Sequence, residues 1–174
     1  VLLGAGNGLI NAMMGNSSRF LATSMVVYGG ETSKAYDGLG EGRNVELNDK
    51  DLAITRHGFE SNIDDVGAEI EKSGLNIAYG DNYSTGVSVN GVYPNDVDIN
   101  KRDMLCGRFL NALDIEQRRK TIVVSQGLAK ELMPHAPLNL NGRVVKVDNL
   151  AFTVVGIYDS DKSRMDNMAF IPFS

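Results

Sequence analysis

The chain has 174 residues, of which 43% are hydrophobic and 22% charged, and 22 acidic against 17 basic side chains leave a net charge of −5. This length allows one or two domains with a well-buried core, without support from disulfides or metals. The acidic balance argues against a nucleic-acid-binding protein, which carries a clustered basic face. The single cysteine excludes an internal disulfide, and no stretch of sequence reaches the roughly 20 apolar residues that span a bilayer.

The N-terminal segment is unusual because residues 1–18 carry no charged side chain. Its apolar residues fall mostly on one helical face, which predicts a membrane-proximal helix over 1–18, although glycines weaken it. The run Gly4-Ala5-Gly6-Asn7-Gly8 is also similar to the dinucleotide fingerprint, in which a helix N-terminus receives a pyrophosphate. Leu9 stands where that fingerprint needs a glycine, so a nucleotide site is the weaker interpretation.

The next segments predict a strand, a loop and a helix. Phe20–Tyr28 is β-branched and aromatic in its second half, which predicts a strand that ends at a glycine pair. Residues 29–44 are rich in Gly, Ser, Glu and Lys and predict an exposed loop. Asn48 is expected to cap a helix that ends at Gly58, with Asp51 as a shorter form of the capping-box glutamate.

From residue 61 the spacing of apolar residues changes from a period of 3.6 to a period of 2, which indicates strands. Strands are predicted at 66–71 and 75–79, joined by a turn at Ser73-Gly74. A further strand at 87–91 is expected to end before Tyr93-Pro94, because proline cannot extend a central strand.

The second half of the chain mixes helices and strands on a smaller scale. Its predicted elements are a helix-prone charged segment at 114–120, an apolar strand at 121–124, an amphipathic helix at 126–133 with Leu128, Ala129 and Leu132 inward, and a hairpin of 143–147 with 151–157 around Asp148-Asn149-Leu150. Because the elements do not alternate strictly as βαβ units, the predicted class is α+β.

The candidate catalytic side chains do not form a convincing set. Neither His57 nor His135 has a second histidine or a cysteine at metal-ligand spacing. We interpret His57 as a solvated end of its helix, which the helix dipole favours. A dyad of Cys106 and His135 would place a base beside a thiol nucleophile. Cys106 lies between Leu105 and Gly107, however, and is more simply a small buried hydrophobe.

Two charged segments could bind ions but have simpler interpretations. Asp159 and Asp161, with Ser163 and Asp166, weakly resemble a calcium loop that lacks its glycine and its terminal glutamate. The basic run at 116–120 has no aromatic residue and is interpreted as a solvated helix face rather than a phosphate-binding patch. We therefore predict no catalytic, cofactor-binding or metal-binding residue and no cofactor, which favours a binding or mechanical module over an enzyme.

Several stretches together carry a resemblance to one family. In chain order they are Ala5-Gly6-Asn7-Gly8-Leu9, Phe20–Tyr28, Gly42-Arg43-x-Val45-x-Leu47-x-Asp49-x-Asp51-Leu52, Gly91-Val92-Tyr93-Pro94, Gly107-Arg108-Phe109, Asp114 with Gln117-Arg118-Arg119-Lys120 and Ile122-Val123-Val124, Phe152–Ile157 and Asn167–Phe173. This ordered set resembles the extracytoplasmic, or periplasmic core, domain of MacB-type ABC-transporter permeases.

The resemblance implies an α+β fold with a porter-like subdomain and a smaller inserted mixed α/β subdomain. The implied division is a membrane-proximal helix at 1–18, a porter-like subdomain at 19–106 with 163–174, and the inserted subdomain at 107–162. It further implies the periplasmic domain of a bacterial inner-membrane protein, without catalytic residues. Such a domain transmits ATP-driven motion to the export of a macrolide, peptide, lipid or lipoprotein.

The resemblance also implies partners. These are the protein's own transmembrane helices, a cytoplasmic ATPase reached through them, a periplasmic adaptor or outer-membrane channel, and a second permease in a homodimer or heterodimer, with no nucleic acid. The gene should then continue into one apolar segment before Val1 and three after Ser174. The alternative is a free-standing secreted peptide- or glycan-binding module, and a nucleotide-dependent enzyme is a more remote one.

Overall fold

A computed structural model describes residues 24–35, 37–59, 61–160 and 167–173. The described residues divide into two compact units, the first of them ending at Val66 and the second beginning at Gly67. The predicted membrane-proximal helix at 1–18, with its fingerprint-like glycines, lies outside the described residues. None of the helices among the described residues combines the length and the apolar character needed to cross a bilayer.

The first unit contains helix α1, which spans Asp49–Gly58. Asn48 caps it: the Asn48 Oδ1 accepts the Lys50 N–H at 2.9 Å, and the Asp51 carboxylate accepts the Asn48 N–H at 2.9 Å. These reciprocal bonds satisfy donors that the first helical turn leaves without partners. The predicted cap, capping box and end of this helix are confirmed.

The predicted strand at 20–28 is wrong for its described part, because residues 24–28 have no regular secondary structure. The side chains of residues 25–28 are 62–83% exposed. The β propensity of valine and tyrosine reflects packing on a neighbouring strand rather than an intrinsic backbone preference. In the predicted loop at 29–44, an isolated bridge joins Glu31 and Asn44.

The second unit is built on seven hydrogen-bonded strands in the order β3-β6-β4-β7-β2-β1-β5. The strands are β1 Glu69–Tyr79, β2 Asn82–Val92, β3 Met104–Gly107, β4 Thr121–Ser125, β5 Val144–Val147, β6 Leu150–Tyr158 and β7 Met168–Pro172. Since β5 pairs with both β1 and β6, six of the strands close into a ring. Strand β3 lies outside this ring and pairs with β6.

Short helices connect the strands. They are α2 Asp96–Ile99, α3 Ala112–Glu116, α4 Gln126–Leu132 and a 3₁₀ helix at Pro137–Leu140. The Ser125 hydroxyl caps α4 by accepting the Leu128 N–H at 3.2 Å. Leu128, Ala129 and Leu132 are fully or almost fully buried, as their spacing predicts.

Apolar residues form two core clusters on opposite faces of β4. Ile122 and Val124 belong to the larger cluster, which α4 also joins. Val123 points the other way, into a smaller cluster with Phe109 and Phe170. Every residue of β4 is buried, so its continuous apolar run is explained by burial on both faces.

The two predicted hairpins differ in outcome. The turn predicted at Ser73-Gly74 is wrong, because β1 continues through it and the chain reverses after Tyr79 instead. Gly74 has φ +79°, and the pairing with β2 shifts register there, so this glycine forms an irregularity within the strand. The later hairpin is confirmed: Val147 pairs with Leu150 across a tight turn.

Both predicted subdomains contribute strands to the one sheet. Strand β7 pairs with β2 on one side and with β4 on the other. The mixture of parallel and antiparallel pairs with short helices confirms the α+β class. The division at residues 107 and 162 stays a prediction.

Candidate functional site

The residues considered for catalysis make other contacts. Cys106 is half-buried on β3, and its thiol donates to the Leu138 carbonyl at 3.7 Å. His135 is exposed, and within the described ranges no hydrogen bond joins it to Cys106. His57 lies in the last turn of α1, the helix-end position that its sequence context predicts. The structure therefore does not assemble the considered thiol–imidazole dyad.

Acidic and metal-ligating side chains also do not converge in the part of the chain that the structure describes. There, no three His, Cys, Asp or Glu side chains are grouped so that they could hold a metal ion. Asp161–Asp166, most of the segment that resembles a calcium loop, lies outside the described residues. That interpretation stays untested.

The most strongly organised polar group surrounds Asp114, whose side chain has no exposed surface. The Arg108 guanidinium donates to it from Nη1 at 2.6 Å and from Nη2 at 3.0 Å. Asn111 and Asp114 form a capping box at the start of α3, with both reciprocal bonds at 3.0 Å. A more distant ion pair, at 3.8 Å, joins Asp114 to Arg119.

These contacts determine the charge state of Asp114. Burial raises the pKa of the Asp114 carboxyl, but the hydrogen bonds from Arg108 and from the Asn111 backbone, with the nearby guanidinium charges, outweigh burial and lower that pKa. The same hydrogen bond raises the pKa of Arg108. The group is an ionised anchor that ties the segment after β3 to helix α3.

The basic run at 116–120 is not the helix face that its sequence predicts, because α3 ends at Glu116. Arg118 has φ +47°, its N–H donates to the Ile115 carbonyl, and the Arg119 N–H donates to the Asp114 carbonyl at 2.8 Å. This pair of bonds is a Schellman motif, which ends a helix by turning one residue into the left-handed region.

A second charged group covers the smaller core cluster. The Arg102 Nε donates to the Asp96 carboxylate at 2.7 Å. The guanidinium carbon of Arg102 lies 4.1 Å from the centroid of the Phe170 ring and 5.7 Å from that of Tyr158. A guanidinium at this distance is attracted to the face of the ring. Arg102 thus covers two aromatic rings of the smaller cluster while its charge is paired with Asp96.

Comparison with known proteins places this geometry in context. The sequence profile of the MacB-like periplasmic core domain matches residues 1–174. No match was found among curated proteins.

Two solved structures are similar in fold. The periplasmic region of MacB from Actinobacillus actinomycetemcomitans has a TM-score of 0.54 at 20% identity, over 62% of this chain and 47% of that one. The extracellular domain of the noncanonic ABC-type transporter YknZ from Gram-positive bacteria has a TM-score of 0.62 at 19% identity, over 73% and 63%. The chain thus spans less than two thirds of either solved domain, and at this identity the likeness concerns the fold.

Proposed function

The chain belongs to the family of MacB-like periplasmic core domains, and from this premise we propose that it transmits ATP-driven motion within a permease to the export of a substrate. The observation that carries the proposal is the family match along the entire chain. The fold shared with the MacB and YknZ domains supports it. In this role the domain is not an enzyme, and it stands on the periplasmic side of a bacterial inner membrane.

The closed ring of strands supports a mechanical role. Motion would enter from a cytoplasmic ATPase through the protein's own transmembrane helices. A ring in which β5 bonds to both β1 and β6 can move as a body, because shearing any strand breaks ladder bonds on two sides. Two such domains, in a homodimer or heterodimer, would shift against each other. They would thereby act on a periplasmic adaptor, an outer-membrane channel or the exported macrolide, peptide, lipid or lipoprotein.

The test uses the full-length permease with its ATPase in a bacterial strain that lacks both. In one variant a Gly/Ser linker replaces residues 1–174, and membrane insertion and ATP hydrolysis are measured beside export. We expect basal ATP hydrolysis to stay within about twofold while export falls to that of the deletion strain. The reason is that the ATPase hydrolyses ATP, whereas the periplasmic domain only transmits the motion. Export is scored as resistance to macrolides and peptide toxins and as release of lipoproteins. Unchanged export would contradict the proposal.

A further inference from the structure

Strands β1 and β5 separate soon after they meet, and a cleft opens between them. Their ladder contains the pairs of Ile77 with Val147 and of Ala78 with Lys146. Beyond these pairs the cleft has a volume of about 330 Å³. It is lined by Ala78, Tyr79, Gly80, Val144, Val145, Lys146, Asn149 and Ala151. Beyond these two pairs the described residues of β1 and β5 form no further ladder, so the edge of β5 is open here.

The register of the β5–β6 hairpin shows which backbone groups face this cleft. Val147 and Leu150 flank the two-residue turn and form a hydrogen-bonded pair, so hydrogen-bonded and non-hydrogen-bonded pairs alternate from there. Val144 is in a non-hydrogen-bonded pair, and its N–H and C=O point away from β6 toward the cleft. No residue of β1 pairs with Val144. An unpaired strand edge of this kind is a template for another extended chain.

Several exposed cations lie near the cleft, although the chain as a whole is acidic and Asp81, next to the lining residue Gly80, is exposed as well. Four exposed cations, which we call the basic surface, are Arg118, Lys120, Arg143 and Lys146. Across the described residues, none of their side chains makes an ion pair. The one carboxylate of the hairpin, Asp148, already accepts the Asn76 N–H at 3.0 Å.

Three members of the basic surface, Lys120, Arg143 and Lys146, lie on or beside neighbouring strands. Lys146 lines the cleft itself. The Lys120 carbonyl accepts the Thr153 N–H, and the Arg143 carbonyl accepts the adjacent Val154 N–H, both at 2.8 Å. Lys120 and Arg143 thus lie on either side of β6, so their backbones are roughly 10 Å apart, two strand spacings. An anionic partner would meet several positive charges at once.

We propose that an acidic, extended segment of a partner polypeptide docks in this cleft by adding to the free edge of β5. The backbone of Val144 supplies the ladder bonds, and the 58% exposed Val144 side chain supplies an apolar contact. The basic surface pairs with acidic side chains of the added strand and steers its approach. The inference rests on the proposed function only in placing a partner outside the membrane.

The probe is an extended peptide of alternating glutamate and valine with both ends blocked, titrated into the 174-residue chain and followed by backbone amide NMR. We expect shifts to concentrate at Gly80, Val144 and Lys146. The same peptide with lysine in place of glutamate is the control ligand and should bind at least about tenfold more weakly, because charge complementarity decides partner choice. Vesicles of phosphatidylcholine and phosphatidylglycerol test a lipid headgroup as the alternative anion.

Three variants separate the contributions. Lys146→Glu should weaken binding of the acidic peptide about tenfold, while Lys72→Glu, at an exposed cation elsewhere on β1, should change it less than about twofold. Val144→Pro removes the N–H that faces the cleft and should weaken binding about fivefold. Its thermal unfolding should match that of the wild type, since this N–H is outside the β5–β6 ladder.

Several results would overturn the inference. These are NMR shifts at amides away from the cleft, equally strong binding of the lysine peptide, or binding of the acidic peptide that Lys146→Glu does not weaken. Binding to the vesicles by a protein that does not bind the peptide would also overturn it. None of them requires a transporter, so they leave the proposed function standing. Conversely, unchanged export in the linker variant would contradict the proposed function and leave peptide binding unaffected.

Discussion

Asp114 is a charged side chain with no exposed surface, held by the Arg108 guanidinium and the Asn111 N–H. Asp114→Asn keeps the size of this side chain but gives Arg108 a weaker acceptor. We expect it to lower the free energy of unfolding by about 2–3 kcal/mol, measured by urea denaturation. Asp98→Asn, at an exposed carboxylate, is the control and should cost less than about 0.5 kcal/mol. Equal losses in the two variants would show that the anchor contributes nothing.

The same carboxylate makes a prediction about acid stability. The pKa of folded Asp114 is lowered, against burial, by its hydrogen bonds to Arg108 and Asn111. The unfolded chain therefore binds the proton first, so the stabilisation is complete above the unfolded value of about 3.9 and is lost as the pH falls through the folded value. As the pH is lowered from neutral, the urea concentration at the midpoint of unfolding should fall more steeply for the wild type than for Asp114→Asn. Parallel curves would contradict this assignment.

Gly107 is expected to tolerate no side chain. It has φ +73°, and an added Cβ would lie 2.3 Å from the Val155 carbonyl oxygen and 2.8 Å from the Gly156 Cα. Gly107→Ala should cost at least about 3 kcal/mol in thermal or urea unfolding, since backbone strain and a clash add together. Gly86→Ala separates the two effects: Gly86 has φ +70° but open space around it. It should cost about 1–2 kcal/mol, and an equal cost at both positions would refute the clash.

At the scale of elements, helix α1 depends on its cap because none of its described side chains is buried. Asn48→Ala removes the acceptor of the Lys50 N–H and should destabilise the helix by about 1 kcal/mol. Hydrogen exchange at Lys50 and Asp51 should then become about fivefold faster, the equivalent of that energy. Asn48→Asp retains an acceptor and should restore the wild-type rate. If both substitutions behave alike, the cap is not what holds this helix.

Elements that depend on local chemistry could be predicted from the sequence. The capping box at Asn48, the apolar face of α4 and the turn at Asp148 all follow from side chains within a few positions of one another. Elements that depend on distant partners could not. The parallel pairing of β2 with β7 joins segments roughly 80 residues apart, and no periodicity within either strand encodes it.

The same distinction explains what sequence reasoning missed at the candidate sites. The spacing of Asn111 and Asp114 is a capping box, a local signal that could have been found. The charge pattern of the basic run indicates a helix face, and that pattern alone does not show that Arg118 adopts a left-handed conformation. The cleft beside Val144 arises only when β5 meets β1, residues that are far apart in the chain.

At the scale of the whole molecule, the two units differ in how much of their surface is buried. Every described residue of 24–66 is exposed or half-buried, whereas the second unit holds two core clusters. Backbone amides open with a free energy that follows this burial. Amides of residues 24–66 should therefore exchange at least about a hundredfold faster than those of β4, measured by hydrogen exchange with mass spectrometry.

The second unit should also exchange as one body. Strand β4 pairs with β6 on one side and with β7 on the other, so opening any of the three removes ladder bonds from a neighbour. Their slowest amides are expected to report a single opening energy, equal to the free energy of global unfolding from urea denaturation. Asp114→Asn should lower both values by the same amount, because it acts on the connection between β3 and β4. Separate opening energies for β6 and β7 would mean that the ring yields strand by strand, and such a ring could not carry motion across the domain.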